Sequence, residues 1–153
     1  MISPTTDYEF IKSVVTHPQV WPWVSDDFCH IDDFEPDLHH LYLEVIDGER
    51  MGFFALKPIN SVMWEIHTTM LPHAWGKTIE YAKNVLVWVF ENTQCQKVVT
   101  FVPENNVKAL KLAEKSGLTL EGFIQDSWLK DGQLHGQYIL GVARSTVCQS
   151  QQR

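Results

Sequence analysis

The chain has 153 residues, a mass of 17.7 kDa, 44% hydrophobic and 20% charged residues, and a formal net charge of -7. That length suits one domain over residues 1–145 with a polar tail over 146–153. The acidic balance speaks against nucleic acid as a partner, which needs clustered lysine and arginine. The longest apolar run, residues 85–90, is far below the roughly 20 residues of a membrane span, so no membrane is expected.

Cys29, Cys95 and Cys148 are odd in number and lack metal-like spacing, which argues against a disulfide framework. No secretory pattern opens the chain, and the expected compartment is cytoplasmic. Thr6-Asp7-Tyr8-Glu9 fits a capping box, and Phe10, Ile11, Val14 and Val15 continue at helical spacing. Pro18 and Pro22 break that helix. Residues 21–36 carry Trp21, Trp23, Phe28 and Phe34 among five acidic residues, and read as irregular or as a short second helix.

Residues 41–46 predict a strand, Asp47-Gly48 a hairpin turn and residues 51–56 the returning strand. A turn over 58–61 leads into a third strand, 62–70. The next segment, Leu71-Pro72-His73-Ala74-Trp75-Gly76-Lys77-Thr78, combines a strand end, a glycine-bearing turn and a helix start. Free N–H groups, the helix dipole and the Lys77 charge would make an anion cradle there. A diphosphate against the N–H groups of Trp75, Gly76, Lys77 and Thr78 is the functional reading, and an ordinary strand-to-helix turn is the bland one.

Ile79, Ala82, Leu86, Val89 and Phe90 then share one helical face. Residues 97–102 are β-branched and predict a buried parallel strand ended by Pro103. Asn105 or Asn106 caps a helix bearing Val107, Leu110 and Ala113 on one face, with Gly117 as its stop. Strands over 118–124 and 137–142 follow, separated by the turn Lys130-Asp131-Gly132. The order α(α)βββαβαββ implies an α/β (α+β) fold with a mostly antiparallel sheet, one parallel crossover and flanking helices.

With this element order, His73-Ala74-Trp75-Gly76-Lys77-Thr78 resembles the Q/R-x-x-G-x-G/A cofactor loop of the GNAT N-acetyltransferase superfamily. Glu65-Ile66-His67-Thr68 followed by Pro72-His73-Ala74-Trp75-Gly76-Lys77 is similar to its ribosomal-protein N-terminal acetyltransferase branch. A second signature runs from Asn106-Val107-Lys108-Ala109 to Glu114-Lys115-Ser116-Gly117-Leu118, then Glu121-Gly122. The likeness spans residues 41–143. It implies a GNAT-like mixed, twisted sheet, acetyl-CoA as co-substrate, and an amine acceptor, whether a protein N-terminus, a lysine, a small amine or an antibiotic. It also implies that Thr69, Met70, Leu71, Trp75, Gly76, Lys77, Thr78 and Asn106 hold the cofactor, with a backbone N–H near Thr69 or Met70 polarising the thioester. The protein would be a monomer or homodimer.

Three positions depart from the pattern. Thr78 replaces the last loop glycine, Ala113 stands where many members have a thiolate-protonating tyrosine, and Gly136 replaces a common aspartate. They favour an alternative, a GNAT fold without catalysis serving as a binding or assembly module, as in divergent bacteriophage members; a longer-chain acyl-CoA binder is a third reading. For the base, Glu65 and His67 alternate onto one strand face, and Glu104 follows the next strand. The bland readings are a structural hydrogen bond, a half-buried packing histidine and a solvated loop glutamate. The helix-start Asn106 is by itself an N-cap. Trp21, Trp23, Phe28 and Phe34 would line the acceptor cleft if the N-terminal segment folds over the sheet as in the family, and core packing is the bland reading. No metal is expected, because the adjacent His39 and His40 would point to opposite strand faces.

Overall fold

The computed structural model describes residues 1–151. Seven strands form one sheet in the order β1-β2-β3-β4-β5-β7-β6. They are β1 (Ile2–Pro4), β2 (Leu41–Asp47), β3 (Glu49–Pro58), β4 (Met63–Met70), β5 (Lys97–Pro103), β6 (Thr119–Lys130) and β7 (Gln133–Ala143). The helices are α1 (Tyr8–Val15), α2 (Trp21–Val24), α3 (Thr78–Asn92), α4 (Val107–Lys115) and α5 (Arg144–Gln151). All neighbours pair antiparallel except β4 and β5. The mixed, mostly antiparallel sheet with flanking helices is as the element order implied.

The two sheet faces bury different helices because strand residues alternate. Leu43, Val45, Phe54, Leu56 and Ile66 face α3, which contributes Val85, Leu86, Val89 and Phe90. Their neighbours Tyr42, Phe53 and Ala55 face the other way, against Ile11, Val14 and Val15 of α1. Phe54 and Phe90 are fully buried, and burial of each such side chain contributes about 1.5–3 kcal/mol. α3 therefore fixes one side of the β2–β3–β4 half-sheet and α1 the other.

Several elements differ from the sequence reading. The cap of α1 is Asp7, whose carboxylate accepts from the Phe10 N–H at 3.1 Å; Thr6 lies outside the helix. β1 lacks any alternating apolar pattern of its own and is held by its pairing with β2. β6 and β7 run on to the turn at 131–132, with bulges that sequence alternation does not reveal. The polar tail is helical as far as Gln151, in α5, and its last two residues, 152 and 153, lie outside the described residues. No helix among the described residues is long and apolar enough to cross a membrane.

Gly52 controls how closely β3 approaches β4. Its φ is +140°, and a Cβ there would lie 2.5 Å from the Thr69 carbonyl oxygen and 2.7 Å from the Met70 Cα. No side chain fits without displacing the end of β4. Gly52→Ala is expected to cost at least about 1–3 kcal/mol, as overpacking does, read as a lower urea midpoint. An unchanged midpoint would show that β4 yields freely.

Candidate active site

β4 and β5 pair in parallel for three residues, Met63, Trp64 and Glu65 against Lys97, Val98 and Val99. Both strands then continue, β4 to Met70 and β5 to Pro103, without further pairing to each other. Thr100 marks the parting point, its hydroxyl donating to the Ile66 carbonyl at 3.2 Å. The result is a cleft opening toward the C-terminal ends of both strands.

The phase of the β3–β4 ladder determines which β4 groups face this cleft. The Leu71 N–H donates to the Met51 carbonyl at 2.9 Å, directly opposite in the register that pairs Gly52 with Met70. Hydrogen-bonded and non-bonded pairs alternate in an antiparallel ladder. Leu71, Thr69 and His67 therefore spend their backbone groups on β3, while Met70 and Thr68 turn theirs toward the cleft. Of Thr69, Met70 and Leu71, it is Met70 whose N–H is placed for a carbonyl in the cleft. The Met70 carbonyl already accepts from the Trp75 indole at 3.0 Å.

The loop itself is tighter than a glycine turn. Pro72–Lys77 is a 3₁₀ helix running directly into α3, so much of its N–H capacity is directed three residues back. Gly76 is outside the left-handed region, and a Cβ on it would meet nothing within 4 Å. The open space beyond it is a depression of about 430 Å³ lined by Gly76, Lys77, Ile79, Glu80, Lys83 and Asn84. Thr78 is buried with φ −63°, and its hydroxyl donates to the Ala74 carbonyl at 3.1 Å. It thus neither needs a glycine's freedom nor holds its hydroxyl out to a ligand.

Asp47, at the end of β2, ties this loop down. It pairs with Lys77 at 3.2 Å and accepts from the Tyr81 hydroxyl at 2.7 Å. These hydrogen bonds, Tyr81 first, hold the Asp47 carboxyl below its ordinary range. Burial and the same contact push the Tyr81 hydroxyl up to about 12. In sequence Asp47 reads as a turn residue alone, and nothing local to it signals the two partners thirty or more positions on.

Glu65 and His67 do share a face, and they touch: His67 Nε2 lies 2.6 Å from Glu65 Oε2. The Glu65 side chain is 16% exposed and the His67 side chain 52%. The hydrogen bond to His67 holds the Glu65 carboxyl below its ordinary value, against the opposing effect of burial. His40 and Lys57 lie close enough to add to the local field. His40 itself pairs with Asp37 at 3.4 Å, and burial lowers its pKa.

Glu104 stands apart from that pair. Its Oε1 accepts from the Gly136 N–H at 3.0 Å, and its own N–H donates back to the Gly136 carbonyl at 2.9 Å. The glutamate thus fastens the β5–α4 loop to β7. Gly136 leaves room there for the Phe123 ring, which a Cβ would overlap and have to displace. Asn106 caps α4 by accepting from the Ala109 N–H at 3.1 Å. Ala113 is buried in the core beneath α4.

A cavity of about 260 Å³ opens beside Asn106, walled by Pro22, Trp23, Pro103 and Trp128 with Asp131 among its lining. Asp27, between α2 and β2, holds the hairpin tip that contributes Asp131 to it. Its carboxylate accepts from the N–H groups of Asp131 at 2.8 Å and Gly132 at 2.7 Å, which hold it below its ordinary pKa. The Asp27 N–H donates to Leu129 and Lys130 donates to Ser25, closing the clamp. Of the aromatic residues expected to line a cleft, Trp23 does so, Trp21 and Phe34 pack edge to face against the α1 core, and Phe28 is 81% exposed.

Residues 6–149 match the family model described as "Protein of unknown function (DUF2824)". The chain belongs to this family. No curated protein matches it in sequence. Its fold is that of GNAT acetyltransferases. Spermidine N-acetyltransferase from Vibrio cholerae in complex with CoA and spermine is similar with a TM-score of 0.81, at 19% identity over 97% of each chain. A single-residue mutant of that enzyme gives 0.80 at 17% identity over 99% of each chain. The same enzyme with manganese ions gives 0.76 at 17% identity, over 98% of this chain and 95% of the other. These likenesses support the superfamily fold and add nothing to the narrower placement near the ribosomal-protein branch. Among the described residues no group of three or more His, Cys, Asp or Glu is arranged to hold a metal.

Two outcomes follow from this geometry. Thr78→Gly removes a buried hydrogen bond and adds backbone freedom at a helix start, so it is expected to cost about 1 kcal/mol. Thermal unfolding checks this, and a stabilised mutant would mean the threonine is strained. The Glu65 pair contributes stability above the ordinary carboxylate range and loses it as pH falls through the lowered folded value. Urea melts of wild type and Glu65→Gln should therefore differ at neutral pH and converge in acid. A gap that persists undiminished at low pH would assign the effect to packing.

Proposed function

We propose that this protein transfers an acetyl group from acetyl-CoA to a primary amine within a ternary complex. The observation that carries the reading is the parted β4–β5 pair. A thioester arm laid in the cleft would find Thr68 backbone groups along its length and the Met70 N–H at its carbonyl. The diphosphate would lie at the start of α3 in the depression bounded by Gly76, Lys77 and Lys83, where the helix dipole, Lys83 and the Lys77 ammonium shared with Asp47 favour it and Glu80 opposes it. Trp75 and Thr78 spend their side-chain donors on the Met70 and Ala74 carbonyls, and Asn106 caps α4 through its Oδ1. The acetyltransferase likeness supports the reaction class, and the spermidine enzymes among the similar structures support a small amine over a protein N-terminus.

In this reading His67 is the base. It is the more exposed member of the pair, and the half-buried Glu65 carboxylate orients its ring and stabilises the imidazolium. His67 takes the proton, the amine nitrogen forms a bond to the thioester carbon, and the C–S bond breaks. The thiolate takes its proton from solvent, because Ala113 supplies none. Glu104 serves the scaffold. The protein would act in the cytoplasm as a monomer or homodimer.

Ala113 and the withheld Thr78 hydroxyl favour a second reading, a GNAT fold that has lost turnover and serves as a binding or assembly module, in a phage for instance. The two part on simple assays. CoA at about a hundred times its dissociation constant should add roughly 2.7 kcal/mol of stability in either case. Gly76→Asp should abolish that shift while leaving the fold intact, since a Cβ there meets nothing of the chain itself. An unaltered CoA affinity would remove the loop from the site. Thiol release with an amine panel separates enzyme from module. His67→Ala should cost about 10²–10⁴ in rate, and Glu65→Gln less, with a displaced pH profile. Equal, small losses would point to a water or the substrate as base.

A further inference from the structure

The cavity between α2 and the β6–β7 hairpin has features that acetyl transfer alone does not require. Two indoles, Trp23 and Trp128, stand among its walls with Pro22 and Pro103. Among the described residues neither indole stacks on another ring or lies beneath a cation of this chain. Trp23 is 53% exposed. Lys130, the lysine in the lining, is committed to the Ser25 carbonyl at 2.7 Å.

The surrounding charge is one-sided. Four carboxylates stand on the segments that build the cavity, against the single lysine Lys130 in its lining. Asp26 and Asp27 lie in the loop clamped to the hairpin tip. Asp131 lines the cavity itself, and Glu104 sits on the adjoining loop. Unclaimed indole faces in a negative field attract organic cations, whose charge interacts with the ring quadrupole. A phosphate or carboxylate would be repelled.

We propose that this cavity binds a second ammonium group of the acceptor, so that the substrate is an aliphatic diamine or polyamine held by one charge while another amine reacts. The proposal rests on the acetyl-transfer reading and assigns Trp23, Trp128 and Asp131 as specificity determinants. The clamp made by Asp27 gives the slot its shape, because it fixes the hairpin tip against the α2 loop. A monoamine of equal length fills the reacting position and leaves the slot empty.

Calorimetry on the full chain, without cofactor, compares cadaverine with pentylamine, which share a five-carbon body and differ by one ammonium group. Cadaverine should bind roughly tenfold more tightly, with quenching of tryptophan fluorescence and a preference that shrinks as salt rises. Trp128→Leu should erase most of the preference and leave pentylamine unchanged. Trp23→Leu, at an exposed site, and Asp131→Asn, which keeps a residue tolerant of the local φ of 54°, should do the same without threatening the fold. Equal affinity for the two amines, or a preference that survives all three substitutions, overturns the slot. A separate melt with CoA keeps the readings apart. Cadaverine preference without any CoA shift would sustain an ammonium-binding slot and overturn acetyl transfer, and a CoA shift without cadaverine preference would overturn the slot and leave acetyl transfer to the thiol-release assay.

Discussion

A sheet normally closes its backbone hydrogen bonds strand by strand, and the parting of β4 from β5 is the place where this one does not. Unpaired N–H and C=O groups inside a fold are costly unless water or a ligand completes them. Here they line a cleft with packed elements on both faces: α3 braces β4 from one side and α1 from the other. Thr100 ends the ladder by lending its hydroxyl to the Ile66 carbonyl, so the first unpaired carbonyl of β4 is satisfied where the strands separate.

The remaining contacts place chemistry around that cleft. Asp47 binds the start of α3 to the β2–β3 hairpin, which holds the loop beside the end of β4. Arg50 extends the same hairpin toward α1, pairing with the buried Glu44 and with Asp7 while its guanidinium lies 3.6 Å over Phe10. Asp27 does the equivalent on the opposite rim, drawing the α2 loop onto the β6–β7 tip. Glu104 closes the rim between them. Carboxylates that look like candidate acids in sequence are here mostly fasteners, and Glu65 with His67 is the pair left facing the half-open side.

Most of the sheet was legible because its signals are local. Alternation at 41–56 gave β2 and β3, the Asp47-Gly48 pair gave their turn, and Asn106 with Gly117 bounded α4. The Glu65–His67 pair was readable as two residues two apart on a strand. What was hidden depends on partners distant in sequence. β1 exists because β2 offers an edge, the bulges of β6 answer to β7, and the roles of Asp27, Asp47 and Glu104 are set by backbone groups elsewhere. The loop reads in sequence as a glycine-bearing turn, and Pro72 at the start with the buried Thr78 hydroxyl draws it into a 3₁₀ helix. The phase that selects the Met70 N–H over those of Thr69 and Leu71 needs the β3 register, which no single-strand pattern contains.

Amide chemical shifts of the β4 backbone, followed by NMR as acetyl-CoA is added, test the central claim most directly. The account predicts that the Met70 and Thr68 amides shift and exchange more slowly with solvent, while those of Thr69 and His67, already bonded to β3, change far less. Perturbation confined to α3, or spread evenly along β4 without this alternation, would contradict a cofactor arm seated between β4 and β5.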